Sequence, residues 1–307
     1  MPPKPIRLGT RGSQLALAQA RLISKAIGHT AEVIPIKTSG DQDAGGRPGG
    51  DKARFVREIE RALLDRNVDL GVHSAKDVPT ELVDGLEIAG VPEREDVRDA
   101  YVGEAGSLRD IPEGARIGTS SLRRRAQLLA LRPDLEIVEL RGNVDTRLGR
   151  LESGDFDGLI LAAAGLRRLG RADAISFALD PRDLTPAPGQ GALAIEARES
   201  DDRHTAIAES ITDRNALATL SAERALVAAL EASCNTPLGA SATLEKDDKM
   251  RLRAFCGLPD GSEWLRDELT ADASEPEALA RTLADRLLSA GARDLLDRAE
   301  SMEVGAT

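Results

Sequence analysis

The sequence predicts two α/β domains followed by a small α+β domain, on three observations. Up to about Ser200, short apolar runs alternate with amphipathic ones, which is the rhythm of βαβ units. That rhythm breaks at Val91-Pro92-Glu93-Arg94-Glu95-Asp96 and again from Pro181 to Gly191, where charge, proline and glycine interrupt the apolar pattern. From about Asn215 the style changes to one long helix, several strands and a final helical region.

The elements follow in order. Ile6-Arg7-Leu8 reads as a strand, and Ser13 caps a helix whose apolar positions are Leu15, Leu17, Ala18, Leu22 and Ile23. Glu32 to Ile36 is a strand, Phe55 to Leu64 a helix and Val68 to Val72 a strand. A second set follows: strand 115–117, helix 122–131, strand 137–140, helix 144–151 and strand 159–161. Mostly parallel sheets are expected from this alternation. Ala192 to Ile195 is a further strand, and a helix runs to Leu230. Strands then cover 240–244, 250–256 and the region of Trp264, before helix from about Glu275. The expected domains are 1–92 with 192–211, then 97–185, then 215–307. Residues 39–52 carry no apolar periodicity and are rich in glycine and aspartate. Such a stretch is expected to be a mobile loop, a lid or plain surface.

Composition narrows the function. The chain has 307 residues, 30% of them charged and 41% hydrophobic, which suits a globular protein with sizeable cores. Aromatics are only 2%, so Leu, Ile, Val and Ala must build those cores, and base-stacking nucleic-acid modules are disfavoured. A net charge of -11 argues against general polyanion binding, so any anion site must be local. No apolar run approaches a membrane span, and the first residues lack a signal-peptide core. With two cysteines, Cys234 and Cys256, a reducing cytoplasm is the expected setting. Neither cysteine belongs to a zinc-like cluster.

Arginine is nonetheless concentrated where anions bind. Gly118-Thr119-Ser120-Ser121-Leu122-Arg123-Arg124-Arg125 and Leu140-Arg141-Gly142-Asn143-Val144-Asp145-Thr146-Arg147 each open a helix, as does Gly9-Thr10-Arg11-Gly12-Ser13. A helix start is already positive, so arginine there makes sense if an anion sits between them. In open α/β sheets these strand–helix junctions form the ligand-binding edge. His73-Ser74-Ala75-Lys76-Asp77-Val78-Pro79 places Lys76 and Asp77 at the same edge. A carboxylate there can steady a substrate cation or exchange a proton with it, or it can simply pair with Lys76. His73 alone reads as structural. Cys234 lies in a polar turn where a thiolate would serve as nucleophile or attachment point, whereas Cys256 lies in an apolar strand.

Seven segments in order resemble the hydroxymethylbilane synthase (porphobilinogen deaminase) family. They are Thr10 to Ala16, His73 to Pro79, Gly118 to Arg124, Leu140 to Arg147, Ala164 to Gly170, Pro186 to Ala192 and Cys234 to Ala240. The resemblance implies two periplasmic-binding-like (type II) α/β domains and a third domain bearing the cysteine. It implies a dipyrromethane cofactor joined to Cys234 by a thioether. Onto it four porphobilinogens are added head to tail, each losing ammonia, before release of the linear tetrapyrrole. It assigns Asp77 as catalytic; Ser74, Lys76, Thr119, Ser121, Arg123, Arg124, Arg141, Arg147 and Gln190 to the cofactor; and Arg11, Ser13, Phe55 and Arg168 to the substrate. No metal, nucleic acid or membrane is implied, and the family leans towards monomers. Two departures stand out: Lys52-Ala53-Arg54-Phe55 where the family often has Lys-Gly-Leu-Phe, and Ala232-Ser233 where glycines often precede the cysteine. The competing readings are a non-catalytic two-lobed carboxylate binder and a relative that has lost turnover.

Overall fold

The first elements are β1 (Ile6–Arg11), α1 (Gln14–Ala26), β2 (Ala31–Ile36), α2 (Arg57–Leu64), β3 (Leu70–Ser74) and β4 (Leu86–Gly90). These belong to a computed structural model that describes residues 4–28, 30–38, 55–232 and 236–305. The loop expected at 39–52 and Cys234 both lie outside the described residues. Next come β5 (Asp99–Gly103), β6 (Arg116–Gly118), α3 (Leu122–Leu131), β7 (Glu136–Val138), α4 (Val144–Glu152), β8 (Gly158–Ala162), α5 (Ala163–Arg168) and β9 (Phe177–Ala178). The remainder is β10 (Leu193–Arg198), α6 (Asp202–Glu209), α7 (Arg214–Ala229), β11 (Leu238–Leu244), β12 (Lys249–Gly257), β13 (Trp264–Asp272), α8 (Pro276–Ser289) and α9 (Ala292–Gly305).

These elements form three sheets, ordered β2-β1-β3-β10-β4, β7-β6-β8-β5-β9 and β11-β12-β13. The first two share one plan. In each, the first three strands are parallel, and the fourth (β10 or β5) runs antiparallel to its neighbours. This is the expected α/β architecture: two five-stranded sheets with their helices, plus a small antiparallel domain. The sheets are mostly parallel, as expected, with one antiparallel strand in each that the sequence did not announce. An apolar run records burial but not direction, and both strands follow a break in the pattern, where the chain passes between units. One compact unit runs to Glu95 and takes the chain back at Gly191–Leu217; the other spans Asp96–Gln190 and Ala218 onward.

Local chemistry explains the starts of the helices. Ser13 accepts a hydrogen bond from the Ala16 N–H, Ser121 from that of Arg124, and Asn143 from that of Thr146, so three caps satisfy donors that a helix start leaves over. Pro35 is tolerated within β2 because β2 is an edge strand. Ile6, Leu8, Ile23, Leu70, Val72 and Ile195 pack the first sheet against its helices. Leu140, Leu148, Leu159 and Leu166 do so on one face of the second. The antiparallel third sheet is covered by α8 and α9 over Met250, Leu252, Leu283, Leu287 and Leu296. This small domain packs within the second unit: the Ala240 N–H donates to the Pro186 carbonyl at 2.9 Å. A Cβ on Gly239 would stand 2.8 Å from the Thr185 carbonyl oxygen, so the backbones meet there only because residue 239 is glycine. No described helix is long and apolar enough to cross a membrane.

Candidate active site

In the first unit, β1 and β3 run parallel, so their carboxyl ends share one edge. The Thr10 hydroxyl, fully buried, donates to the Val72 carbonyl at 3.1 Å and ties the two strands together. Past that edge, Arg11, Ser13, Gln19, Phe55, His73, Ser74 and Asp77 line one pocket. The Arg11 guanidinium lies over the Phe55 ring, 4.1 Å from its centroid, a cation–π contact that holds its plane in place. Gln19 Nε2 donates to Ser74 Oγ at 2.8 Å. Asp77 ends a single 3-10 turn, Ala75–Asp77, which is anchored by the Ala75 N–H donating to the Ala192 carbonyl at 3.0 Å. Arg11, Ser13, Phe55, Ser74 and Asp77 are therefore brought together. Lys76 shares the turn with Asp77 but is not among the lining residues.

In the second unit the arginines take unequal roles. Asp99, fully buried at the start of β5, accepts from Arg123 Nη1 at 2.8 Å, from Arg124 Nε at 2.9 Å and from Gln190 Nε2 at 3.0 Å. Burial alone would raise the Asp99 carboxyl, but the Arg123 and Arg124 guanidiniums hold it far below the ordinary carboxylate range. Arg123 also donates to the Thr185 carbonyl and Arg124 to that of Ile160. Arg123, Arg124 and Gln190, assigned to the cofactor by resemblance, thus sit buried around an internal carboxylate. Arg141 is drawn to Glu139 at 2.7 Å. Thr119 is buried and accepts from the Ser121 N–H. Arg168 lies half-buried in α5.

Arg147 differs. It is half-buried and donates from Nε to the Gly142 carbonyl at 2.8 Å, with no carboxylate partner among the described residues. Desolvation, then repulsion by Arg124, lowers its pKa to about 10. Among the described residues, Asp99 is the one carboxylate paired with Arg123 and Arg124, and none pairs with Arg147. That surplus of poorly solvated positive charge suits a bound carboxylate.

Residues 6–206 match the family profile described as porphobilinogen deaminase, dipyromethane cofactor binding domain, and residues 217–289 match the porphobilinogen deaminase C-terminal domain. The chain belongs to the porphobilinogen deaminase family. A relative in Thermus thermophilus, named porphobilinogen deaminase, is 48% identical over 295 residues, covering 94% of this chain and 97% of its own. Among solved structures, an arginine-specific periplasmic binding protein of Salmonella typhimurium is 13% identical, covering 70% of this chain and 94% of its own at a TM-score of 0.39. YhfZ from Shigella flexneri is 16% identical, covering 75% and 98% at a TM-score of 0.36.

Sequence reasoning missed Asp99, Gln127 and Glu223. Gln127 accepts from the Thr185 N–H at 2.7 Å and donates back to the Thr185 carbonyl. Glu223, fully buried, accepts from the Gly189 and Ala242 N–H groups at 2.6 and 2.8 Å. The available signal was a lone acid heading or interrupting an apolar run, as in Asp99-Ala100-Tyr101-Val102.

Proposed function

We propose that this chain is a hydroxymethylbilane synthase. It is a transferase that joins four porphobilinogens head to tail on a dipyrromethane held by Cys234, with loss of one ammonia each, and supplies tetrapyrrole (heme) biosynthesis. The observation that carries this reading is the pocket joining Arg11 and Asp77 at the carboxyl ends of β1 and β3, in a chain matched along most of its length by the family.

The chain's own residues fit dipyrromethane. Arg147 is a desolvated cation lacking a carboxylate partner among the described residues, and each ring of the cofactor bears an acetate and a propionate. Of the two cysteines, Cys256 is fully buried in the third domain, and burial pushes its thiol up to about 12. That removes the thiolate needed for attachment and leaves the sulfur of Cys234. Ser74, Lys76, Thr119, Ser121, Arg141 and Arg147 would hold the cofactor, with Arg123, Arg124 and Gln190 contributing from the Asp99 network. When bound, dipyrromethane would supply the free pyrrole carbon to which the first porphobilinogen is joined, each later ring joining the one added before it.

Arg11, with Ser13 and Arg168, orients the acid side arms of porphobilinogen, and Phe55 holds Arg11 in place. Asp77 accepts hydrogen bonds from pyrrole N–H groups. It offsets the positive charge that develops on the substrate's methylene as ammonia leaves. The proton lost from the attacked ring carbon matches the one carried away by ammonia, so Asp77 needs only to pass it on. The domains are read as 1–92 with 192–211, 97–185 and 215–307. The setting is read as cytoplasmic and the protein as a monomer that binds neither nucleic acid nor membrane. A non-catalytic carboxylate binder is not favoured.

The test is direct. Purified protein incubated with porphobilinogen is expected to release a linear tetrapyrrole and four ammonia molecules per product. Bound but unconverted porphobilinogen would instead identify a binder.

A further inference from the structure

Beside Asp77, the proposed chemistry leaves three buried titratable side chains unused. They are His73 on β3, Glu196 on β10 and Glu60 on α2, exposed by only 5%, 0% and 4%. His73 Nε2 lies 3.2 Å from Glu196 Oε2. With the proton on Nε2, this contact is a hydrogen bond from the imidazole to the Glu196 carboxyl. Gly71 faces Glu196 across the β3–β10 ladder, and a Cβ there would stand 2.8 Å from His73 Nε2. Glycine is what leaves the path between ring and carboxylate open. Burial, then Glu196, push the Glu60 carboxyl up, while His73 and Arg57 oppose them.

The pair sits at a weak point of the sheet. Between Ile195 and Glu196, β10 slips its register with β4, and such a bulge disrupts the ladder locally. On its other side β10 stays in register with β3, from Leu193 opposite Ser74 to Glu196 opposite Gly71. The turn that carries Asp77 begins at Ala75, directly after β3 ends at Ser74, and is tied back to Ala192.

We propose that His73 and Glu196 are positioning residues for Asp77: their buried hydrogen bond pins β3 to β10 beside the bulge and so fixes the turn that presents the Asp77 carboxylate. This rests on the reading of Asp77 as the catalytic carboxylate. A misplacement of about 1 Å at a reacting group can cost roughly a hundredfold in rate, so the pin should act on kcat.

The experiment compares wild type, Glu196→Leu, His73→Gln and His73→Ala for dipyrromethane mass, far-UV circular dichroism, kcat and KM with porphobilinogen. Glu196→Leu removes the acceptor and, folded and loaded, is expected to lose at least about tenfold in kcat with KM within about threefold. His73→Ala should fall equally. His73→Gln, which keeps an amide N–H donor at this position, should keep at least about a third of wild-type kcat. Unchanged kcat per loaded molecule in Glu196→Leu overturns the proposal. So does equal inactivity of His73→Gln and His73→Ala beside an active Glu196→Leu, since the imidazole would then act on substrate itself. If the variants do not fold, imidazole 15N NMR of the wild type decides: a slowly exchanging Nε2–H on His73 supports the pin, and an Nδ1–H tautomer overturns it. A wild type with neither cofactor nor product fails the activity reading instead, and the proposal with it.

Discussion

Removing the charge of Asp99 should damage this protein more than any comparable change at its surface. Asp99→Asn keeps the volume but leaves the Arg123 and Arg124 guanidiniums, both buried, without their carboxylate. Breaking a buried pair from one side costs about 3–5 kcal/mol, because an uncompensated charge stays inside. For a unit of this size that corresponds to a fall of roughly 6–20 °C in Tm. Differential scanning calorimetry of wild type and Asp99→Asn measures it, with Arg125→Ala on the exposed side of α3 expected within about 0.5 kcal/mol. The pH dependence has a definite sign. The folded Asp99 pKa is depressed, so its contribution is complete above the unfolded value of about 3.9 and fades as pH falls below it. The gap between wild type and Asp99→Asn should therefore be full at pH 7 and shrink below about pH 4. A loss under about 1 kcal/mol at pH 7, or a gap that widens in acid, would refute the reasoning.

Asp77→Asn should retain the cofactor yet lose roughly a hundred- to a thousandfold in turnover, as removal of one electrostatic stabiliser does elsewhere; near-normal product formation would place the charge on another group. Arg147→Gln should slow loading of the apoprotein by porphobilinogen roughly ten- to a hundredfold, the cost of one charge-assisted hydrogen bond, and wild-type loading kinetics would remove Arg147 from the cofactor's partners. Arg124→Leu should impair loading and lower Tm together, because Arg124 is held in the buried Asp99 network; impaired loading at an unchanged Tm would contradict that placement.

Much of the fold was legible because its signals are local. Ser13, Ser121 and Asn143 each announce a helix within a few residues, and α3 begins and ends where periodicity placed it. The pocket at Arg11 and Asp77 was legible for the same reason, since Arg11 ends β1 and Asp77 lies in the turn that directly follows β3. What was missed depends on long-range pairing. β5 opens with a charged residue directly after a charged run, which hides its apolar pattern. Nothing near Asp99 signals that it will meet Arg123, 24 residues on, or Gln190, 91 residues on. The arginines of Leu122-Arg123-Arg124-Arg125 look alike in sequence. Burial separates them, with Arg123 and Arg124 turned into the second domain and Arg125 left exposed.

The most direct test of the tethered-primer chemistry is an intact-mass measurement on protein made in a porphobilinogen-producing host. Wild type and Cys256→Ser are expected to exceed the polypeptide mass by two condensed pyrrole units, and Cys234→Ser to show the polypeptide mass alone. A bare wild-type mass, or an adduct that survives Cys234→Ser, would contradict it.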